Sequence, residues 1–405
     1  MSAFFIFARM SLSQTFYQHQ AQTTDSPYGI EVESAEGIYI YDTSGKRYMD
    51  LISGVAVSNV GHRHPKVVEA TKRQLDKYMH VMVYGEYIQK PQAELAEKLT
   101  SLLPNSLDCL YPVNSGTEAN EAALKLAKRV TNRTEIISFN NSYHGNTHGS
   151  LSVTGNEQKK YRFRPLLPDV KFINFNSISD LEEITTKTAA VIIEPIQGDA
   201  GLRIPSKEFM SALRNKCTET GAQLIFDEIQ TGFGRTGPLF AFEHFNVIPD
   251  ILTIAKGMGG GMPIGGFISS KEKMALLRNN PMLGHITTFG GHPVCCAAAL
   301  ANIQVIEEEN LLDSVAAKGQ LFRELLEKNS LVTEVRQIGL MLAIELDNFE
   351  TVQKVVRNCL ERGVIGFWFI SCNNSFRLAP PLTISEIEIR EACKIINEVM
   401  NSCHN

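Results

Sequence analysis

Three short stretches of the 405-residue chain carry residue types that could do chemistry together. Asn114-Ser115-Gly116-Thr117 opens a helical pattern with two hydroxyls, a glycine and free backbone N–H groups. Such groups at a helix start carry partial positive charge, so the stretch reads as an anion cradle. Asp227 and Glu228 close the apolar run Gln223-Leu224-Ile225-Phe226. A carboxylate at the end of a buried strand is costly unless it meets a cation or a protonated base. Lys256 follows the apolar run Ile251-Leu252-Thr253-Ile254 and precedes Gly257-Met258-Gly259-Gly260-Gly261. A lysine whose pKa is lowered by burial is the usual residue for a Schiff base. Taken singly, each stretch has a plainer reading: a helix cap, two solvated loop acids, a flexible loop with a surface lysine. The glycine run lacks the third glycine of a dinucleotide fingerprint, and no phosphate-loop lysine motif occurs. Taken together, cradle, strand-end acid and strand-end lysine match the three handles of pyridoxal phosphate: phosphate, ring nitrogen and aldehyde.

These residues need rigid elements behind them. Continuous apolar runs at Ile136–Phe139, Ala189–Glu194, Gln223–Asp227, Ile251–Ile254 and Gly266–Ser269 predict strands covered on both faces. Helical patterns between them, such as Ser206–Thr220, imply a mainly parallel sheet in an α/β domain. The stretch Ser115–Arg129 predicts a core-facing helix, with Ala119, Ala122, Ala123 and Leu126 on one stripe and a Ser115/Glu118 capping box. Ligands of such sheets bind beyond the carboxyl ends of the strands, where Asp227 and Lys256 stand. Residues 1–60 read as an N-terminal arm and part of a smaller domain, with a strand at Ile38–Tyr41. Residues 61–300 read as the large cofactor domain and 301–405 as a C-terminal α+β domain. In the last, one amphipathic stretch is expected at Ile303–Lys328, strands at Gly339–Leu346 and Val364–Phe369, and helices at Thr351–Arg362 and Ser385–Ser402.

Composition bounds the classes. With 43% hydrophobic and 20% charged residues the chain is an ordinary globular protein, and a net charge of −5 argues against nucleic-acid or anionic-membrane partners. No run of apolar residues is long enough to cross a membrane as a helix. Eight cysteines without a C-x-x-C pair read as free thiols in a reducing cytoplasm. His62 and His64 lack an acid or cysteine at metal-ligand spacing, so no metal is expected. The apolar Phe4–Ala8 segment reads as a frayed terminus, and either Met1 or Met10 can serve as the start.

From about Glu36 to Leu382 the sequence resembles the class III aminotransferases of pyridoxal-phosphate fold type I. The motifs that carry the resemblance are NSGTEANEAALKLAKR, SYHG, EPIQGDAG, FDEIQTGFGRTG, AKGMGGGMPIGG, TTFGGHP and RLAPPL, in that order. The resemblance implies that Lys256 binds the cofactor aldehyde and then moves the proton, and that Asp227 pairs with the ring nitrogen. It implies that Gln230 bonds the ring hydroxyl, that Tyr143 stacks on the ring, and that Ser115, Gly116 and Thr117 hold the phosphate. His144 and Glu194 would sit beside the cofactor as hydrogen-bonding and packing residues, Glu228 would buttress the site, and Arg235 would be a structural salt-bridge residue. Thr288 would reach the phosphate of a neighbouring subunit, which makes a homodimer with shared active sites the expected assembly.

The same resemblance implies substrates: an amine or amino acid as donor and a 2-oxo acid as acceptor, in a ping-pong reaction. Arg377 matches the family's carboxylate clamp, and Asp199 stands where a longer acid neutralises it. Val55 matches an aliphatic position, and His292 replaces a more usual Asn. The larger departure is Asn146, where acetylornithine, ornithine and 4-aminobutyrate members usually carry an arginine for a distal carboxylate. Lys159, Lys160, Arg162 or Arg164 could replace that charge. Both 2-oxoglutarate and pyruvate stay open as acceptors, and an aminomutase, a decarboxylase or a non-enzymatic regulatory subunit are the alternatives on the same fold.

Overall fold

The computed structural model describes residues 10–403, so the apolar Phe4–Ala8 segment lies outside the described residues. Its centre is a seven-stranded sheet in the order Cys109–Val113, Gly265–Ser269, Ile251–Ile254, Gln223–Asp227, Thr188–Ile193, Glu135–Phe139, Val170–Ile173. The last five run parallel, and Gly265–Ser269 is antiparallel to both of its neighbours. The strands read from continuous apolar runs are the inner ones. The two that escape that reading are the edges. Cys109–Val113 contains Pro112, which an edge tolerates, and Val170–Ile173 exposes Lys171, so neither shows an unbroken buried run.

Helix Gly116–Thr131 lies across the sheet with Ala119, Ala122, Ala123, Leu126 and Ala127 buried. Small side chains let its axis approach the strands closely. The expected capping box is only half formed. Ser115 Oγ accepts from the Glu118 N–H at 3.3 Å, but the Glu118 carboxylate turns to the Asn114 N–H at 2.7 Å and to the Asn114 amide at 2.9 Å. The N–H groups of Gly116 and Thr117, which no helix geometry can satisfy, stay available at the helix start.

The amphipathic stretch expected at Ile303–Lys328 is two helices, Pro293–Glu308 and Leu312–Leu326, broken where Asn310 adopts a left-handed backbone. The first is apolar on nearly every side and packs against helices Pro65–Leu75 and Lys90–Ser101. The expected division at 300/301 falls inside it. The strand expected at Val364–Phe369 also splits. Val364–Ile365 runs parallel to Arg47–Asp50 and completes an N-terminal sheet with Val32–Glu36 and Tyr39–Asp42. Phe367–Trp368 joins a second antiparallel sheet with Ser375–Leu378, Met341–Glu345 and Glu334–Ile338. Helices Leu312–Leu326, Phe349–Glu361 and Glu386–Cys403 pack together beside these sheets.

Between Arg47–Asp50 and helix Pro65–Leu75 the chain makes a left-handed turn, with φ of 52°, 62°, 68° and 61° at Ser53, Gly54, Val55 and Ala56. Three of these are not glycine, and each costs on the order of 1–2 kcal/mol in that region. Asp50 compensates. Its buried Oδ1 accepts from the N–H groups of Ile52 and Ser53, both at 2.9 Å, and Oδ2 meets His62 Nε2 at 2.8 Å. Ser53 Oγ donates to the Ala379 carbonyl at 2.8 Å, which fastens the turn to the end of the Arg377 strand. Asp50→Ala leaves two buried N–H donors without partners, so a stability loss of about 2–4 kcal/mol is expected from the chemical denaturation midpoint; Asp50→Asn, which keeps one acceptor oxygen, loses less.

Candidate active site

The parallel strands deliver their carboxyl ends to one edge, and the segments leaving them enclose a cavity of about 460 Å³. Glu135–Phe139 leads to Tyr143, His144 and Asn146, and Thr188–Ile193 leads to Glu194 and Asp199. Gln223–Asp227 leads to Gln230, and Ile251–Ile254 leads to Lys256. Ser115, Gly116 and Thr117 close the cavity from the helix side.

Asp227 is buried, and its carboxylate accepts three hydrogen bonds, which leaves room for one more donor. Oδ2 accepts from Asn120 Nδ2 at 2.8 Å and from His144 Nδ1 at 2.7 Å, and Oδ1 accepts from the Ile229 N–H at 3.1 Å. Asn120 also donates to the His144 carbonyl at 2.7 Å and accepts from Thr253 Oγ1 at 2.8 Å. His144 is therefore oriented by Asp227 through one ring nitrogen, while Nε2 is buried without a partner among the described residues. Lys256 leaves its strand with φ of +40°, a strained turn for a non-glycine residue. Burial lowers its pKa first of all; the Asp227 charge opposes this, and the net direction is downward.

Glu194 ties two loops together, accepting from the Tyr143 N–H and the Gly198 N–H, both at 2.9 Å. Its burial raises its pKa to about 7. A Cβ at Gly198 would overlap Gln230 Oε1, so the glycine leaves the space that the Gln230 carboxamide fills. Glu228 points away from the cavity, accepting from Ala241 N–H and Phe242 N–H at 2.7 Å and from Thr231 Oγ1 at 2.9 Å. Arg235, expected in a salt bridge, has no carboxylate partner among the described residues. It is buried and donates to Asn59 Oδ1 at 2.5 Å and to the carbonyls of Leu340 and Pro380. His62 and His64 each face one carboxylate, Asp50 and Glu309.

Arg377 and Val55 line a narrower pocket that adjoins the cavity and shares Gln230 with it. Arg377 is 8% exposed, lies 4.6 Å over the Phe369 ring, and meets Asp199 Oδ1 with Nη2 at 3.0 Å. Its Nε is buried and has no partner among the described residues. Thr288 is not brought to this cavity: it stands on an exposed loop. Two residues of the site escape sequence reasoning. Asn120 is the one polar side chain on the buried stripe between Ala119 and Ala122, and that mismatch was the available signal. Ile229, between Asp227 and Gln230, lines the cavity and lies so near Gly116 that a Cβ there would be 2.7 Å from Ile229 Cδ1.

Residues 20–400 match the family described as aminotransferase class-III. The chain belongs to the class III aminotransferases. It is 42% identical over 377 residues to the acetylornithine aminotransferase of Methanocaldococcus jannaschii, covering 90% of this chain and 92% of that one. It is 38% identical over 379 residues to the acetylornithine aminotransferase of Bacillus subtilis, covering 92% and 95%. The structure of the ornithine aminotransferase from Toxoplasma gondii superposes with a TM-score of 0.89 at 28% identity, covering 96% and 93%. Like others of this class III family, the enzyme is a fold type I transaminase that uses pyridoxal 5′-phosphate. The family assignment favours transamination over the mutase, decarboxylase and regulatory alternatives.

The cavity fits that cofactor on its own chemistry. A helix start with unsatisfied N–H groups and the Thr117 hydroxyl suits a phosphate, the anchored Asp227 suits a protonated ring nitrogen, and Lys256 suits an aldehyde. Asn120→Ala removes the amide that orients Asp227 and leaves the Thr253 hydroxyl only the Phe226 carbonyl at 3.4 Å. Affinity for pyridoxal phosphate is expected to fall about 10- to 100-fold, measured by titrating the apoenzyme with absorbance as the readout.

Proposed function

We propose that this aminotransferase takes the terminal amino group of an N-acylated ornithine-like amino acid and passes it to a 2-oxo acid, with 2-oxoglutarate as the first candidate acceptor. The observation that carries this reading is the Arg377–Asp199 pair at the cavity. With Asp199 in place, Arg377 is neutral towards an incoming terminal amine. When Asp199 yields, the guanidinium fork is free for the carboxylate beside an oxo group. Burial alone would raise the Asp199 pKa, but Lys159 and Arg377 outweigh it and keep the carboxyl below its ordinary range. The acetylornithine aminotransferases among its relatives support the donor class.

Bound pyridoxal phosphate supplies an aldehyde that captures the amine and a protonated ring that takes up the electrons of the broken C–H bond. The chain's own residues do the rest in this reading. Lys256 would hold the aldehyde carbon until the substrate amine displaces it, and the released amine, with its pKa lowered, would take a proton from the substrate carbon and return it at the neighbouring position. Asp227, held by Asn120 and His144, keeps the ring nitrogen protonated. Gln230 would bond the ring hydroxyl, Tyr143 and Ile229, which line the cavity, would pack against the ring, and Gly116 and Thr117 would hold the phosphate.

The assembly in this reading is a homodimer in which Thr288 reaches the partner's phosphate. Met79, Ile88, Met282 and Phe289 are exposed, and the ring of His80, next to Met79, lies 5.0 Å from that of Phe289, next to Thr288. Eight free cysteines support a reducing cytoplasm as its location.

Two outcomes are expected. N-acetylornithine shifts the visible absorbance of the holoenzyme and 2-oxoglutarate restores it, whereas Lys256→Ala lowers turnover at least about 100-fold. Ile88→Asp weakens the dimer in sedimentation, while Thr288→Ala leaves the dimer intact and weakens cofactor binding.

A further inference from the structure

Asp199 faces two cations rather than one. Arg377 Nη2 lies 3.0 Å from Oδ1, Lys159 Nζ lies 2.5 Å from Oδ2, and Ser371 Oγ donates to Oδ2 at 2.7 Å. One carboxylate against an ammonium and a guanidinium leaves this end of the site with one positive charge to spare. Lys159 approaches the site through two residues that line the cavity: its Nζ stands 4.8 Å from the centroid of the Tyr143 ring and pairs with Asp199. Its side chain is 17% exposed, so its charge is poorly screened by water. The other nearby cations are engaged elsewhere. Lys160 lies over the Phe172 ring at 3.9 Å, Arg162 bonds the Tyr161 hydroxyl at 2.8 Å, and Arg164 pairs with Glu157 at 2.7 Å. Asn146 carries no charge with which to compete.

We infer that Lys159 is a specificity-determining residue, the group that receives the substrate carboxylate remote from the reacting carbon. The inference rests on the transamination reading above. The charges close in the donor half-reaction, and a dicarboxylic acceptor leaves one negative charge in excess, on Asp199. A donor with a terminal amine places its distant carboxylate on Lys159 while Asp199 stays paired with Arg377. A dicarboxylic 2-oxo acid places its distal carboxylate on Lys159 and its other carboxylate on Arg377. Asp199 then gives up both cations and keeps the Ser371 hydroxyl and the Ile370 N–H, which lies 3.4 Å from Oδ1. Asp199 is thus an exchangeable counter-ion shared by two carboxylate subsites.

The test compares acceptors that differ in the remote carboxylate, using the holoenzyme with one donor throughout. In Lys159→Met the ratio of kcat/KM for 2-oxoglutarate to kcat/KM for pyruvate falls about 10- to 100-fold, the loss expected for one charge-assisted hydrogen bond. Lys159→Arg keeps the ratio within about threefold of wild type, because it restores charge at the same place. A ratio that does not move in Lys159→Met overturns the inference, and so does an equal fall with both acceptors, which is what a purely structural partner of Asp199 would give. A wild-type enzyme that uses pyruvate and not 2-oxoglutarate overturns it too. Absence of turnover with either acceptor in the wild type would instead strike at the transamination reading. Visible absorbance and thermal melting of each variant show that cofactor and fold are retained.

Discussion

A carboxylate buried at the end of a parallel strand has to be paired, and the pairing of Asp227 organises everything around it. The carboxylate is held from three directions: by Asn120 on the helix behind it, by His144 on the loop beside it and by the Ile229 N–H in front. Each partner belongs to a different element, so one buried charge locks the helix start, the Tyr143 loop and the Gln230 turn into a single frame. Thr253 on the adjacent strand extends this network through Asn120. A buried polar network is costly when half satisfied and rigid when complete. Here it is rigid where the chemistry needs fixed distances, and Lys256 emerges from the strand next to it.

The frame was legible in the sequence where the physics is local. The inner strands are continuous apolar runs, and the residues that terminate them, Asp227 and Lys256, stand out because charge follows hydrophobicity without a spacer. The edges were not legible, since Pro112 and Lys171 interrupt the pattern that burial on two faces produces. The cap of helix Gly116–Thr131 was half legible: Ser115 does what its position promises, but Glu118 finds a better donor pair in Asn114. The break at Asn310 is invisible to apolar periodicity because both flanking helices keep buried residues in phase with the core. Arg235 was misassigned for a related reason. A lone arginine in a glycine-rich turn suggests an acid partner, whereas it donates to the main-chain carbonyls of Leu340 and Pro380 and to Asn59, and only folding brings them near.

The substrate end is built differently from the cofactor end. Lys159, Asp199 and the hairpin that carries Ser371 and Arg377 are three separated stretches, and their contacts are ion pairs and hydroxyl bonds that can be exchanged. Sequence could propose Lys159 among several basic residues but could not choose, because direction depends on how the Glu157–Arg164 segment turns. The left-handed turn at Ser53–Ala56 adds Val55 to the same region, and its strain is held by Asp50 and by the bond from Ser53 to Ala379. Rigid geometry surrounds the ring, and exchangeable charge surrounds the group that differs between one substrate and the next.

The pairing of Val364–Ile365 with Arg47–Asp50 has a consequence for how the chain is made. The strands before Asp50 leave the ribosome with one edge open, and the segment that closes it begins only at Val364. At ordinary elongation rates of about 5–20 residues per second the open edge waits roughly 15 to 60 s. During that interval its unpaired N–H and C=O groups can be taken by any other extended chain. Until Val364–Ile365 arrives, the edge of Arg47–Asp50 stays open to mispairing.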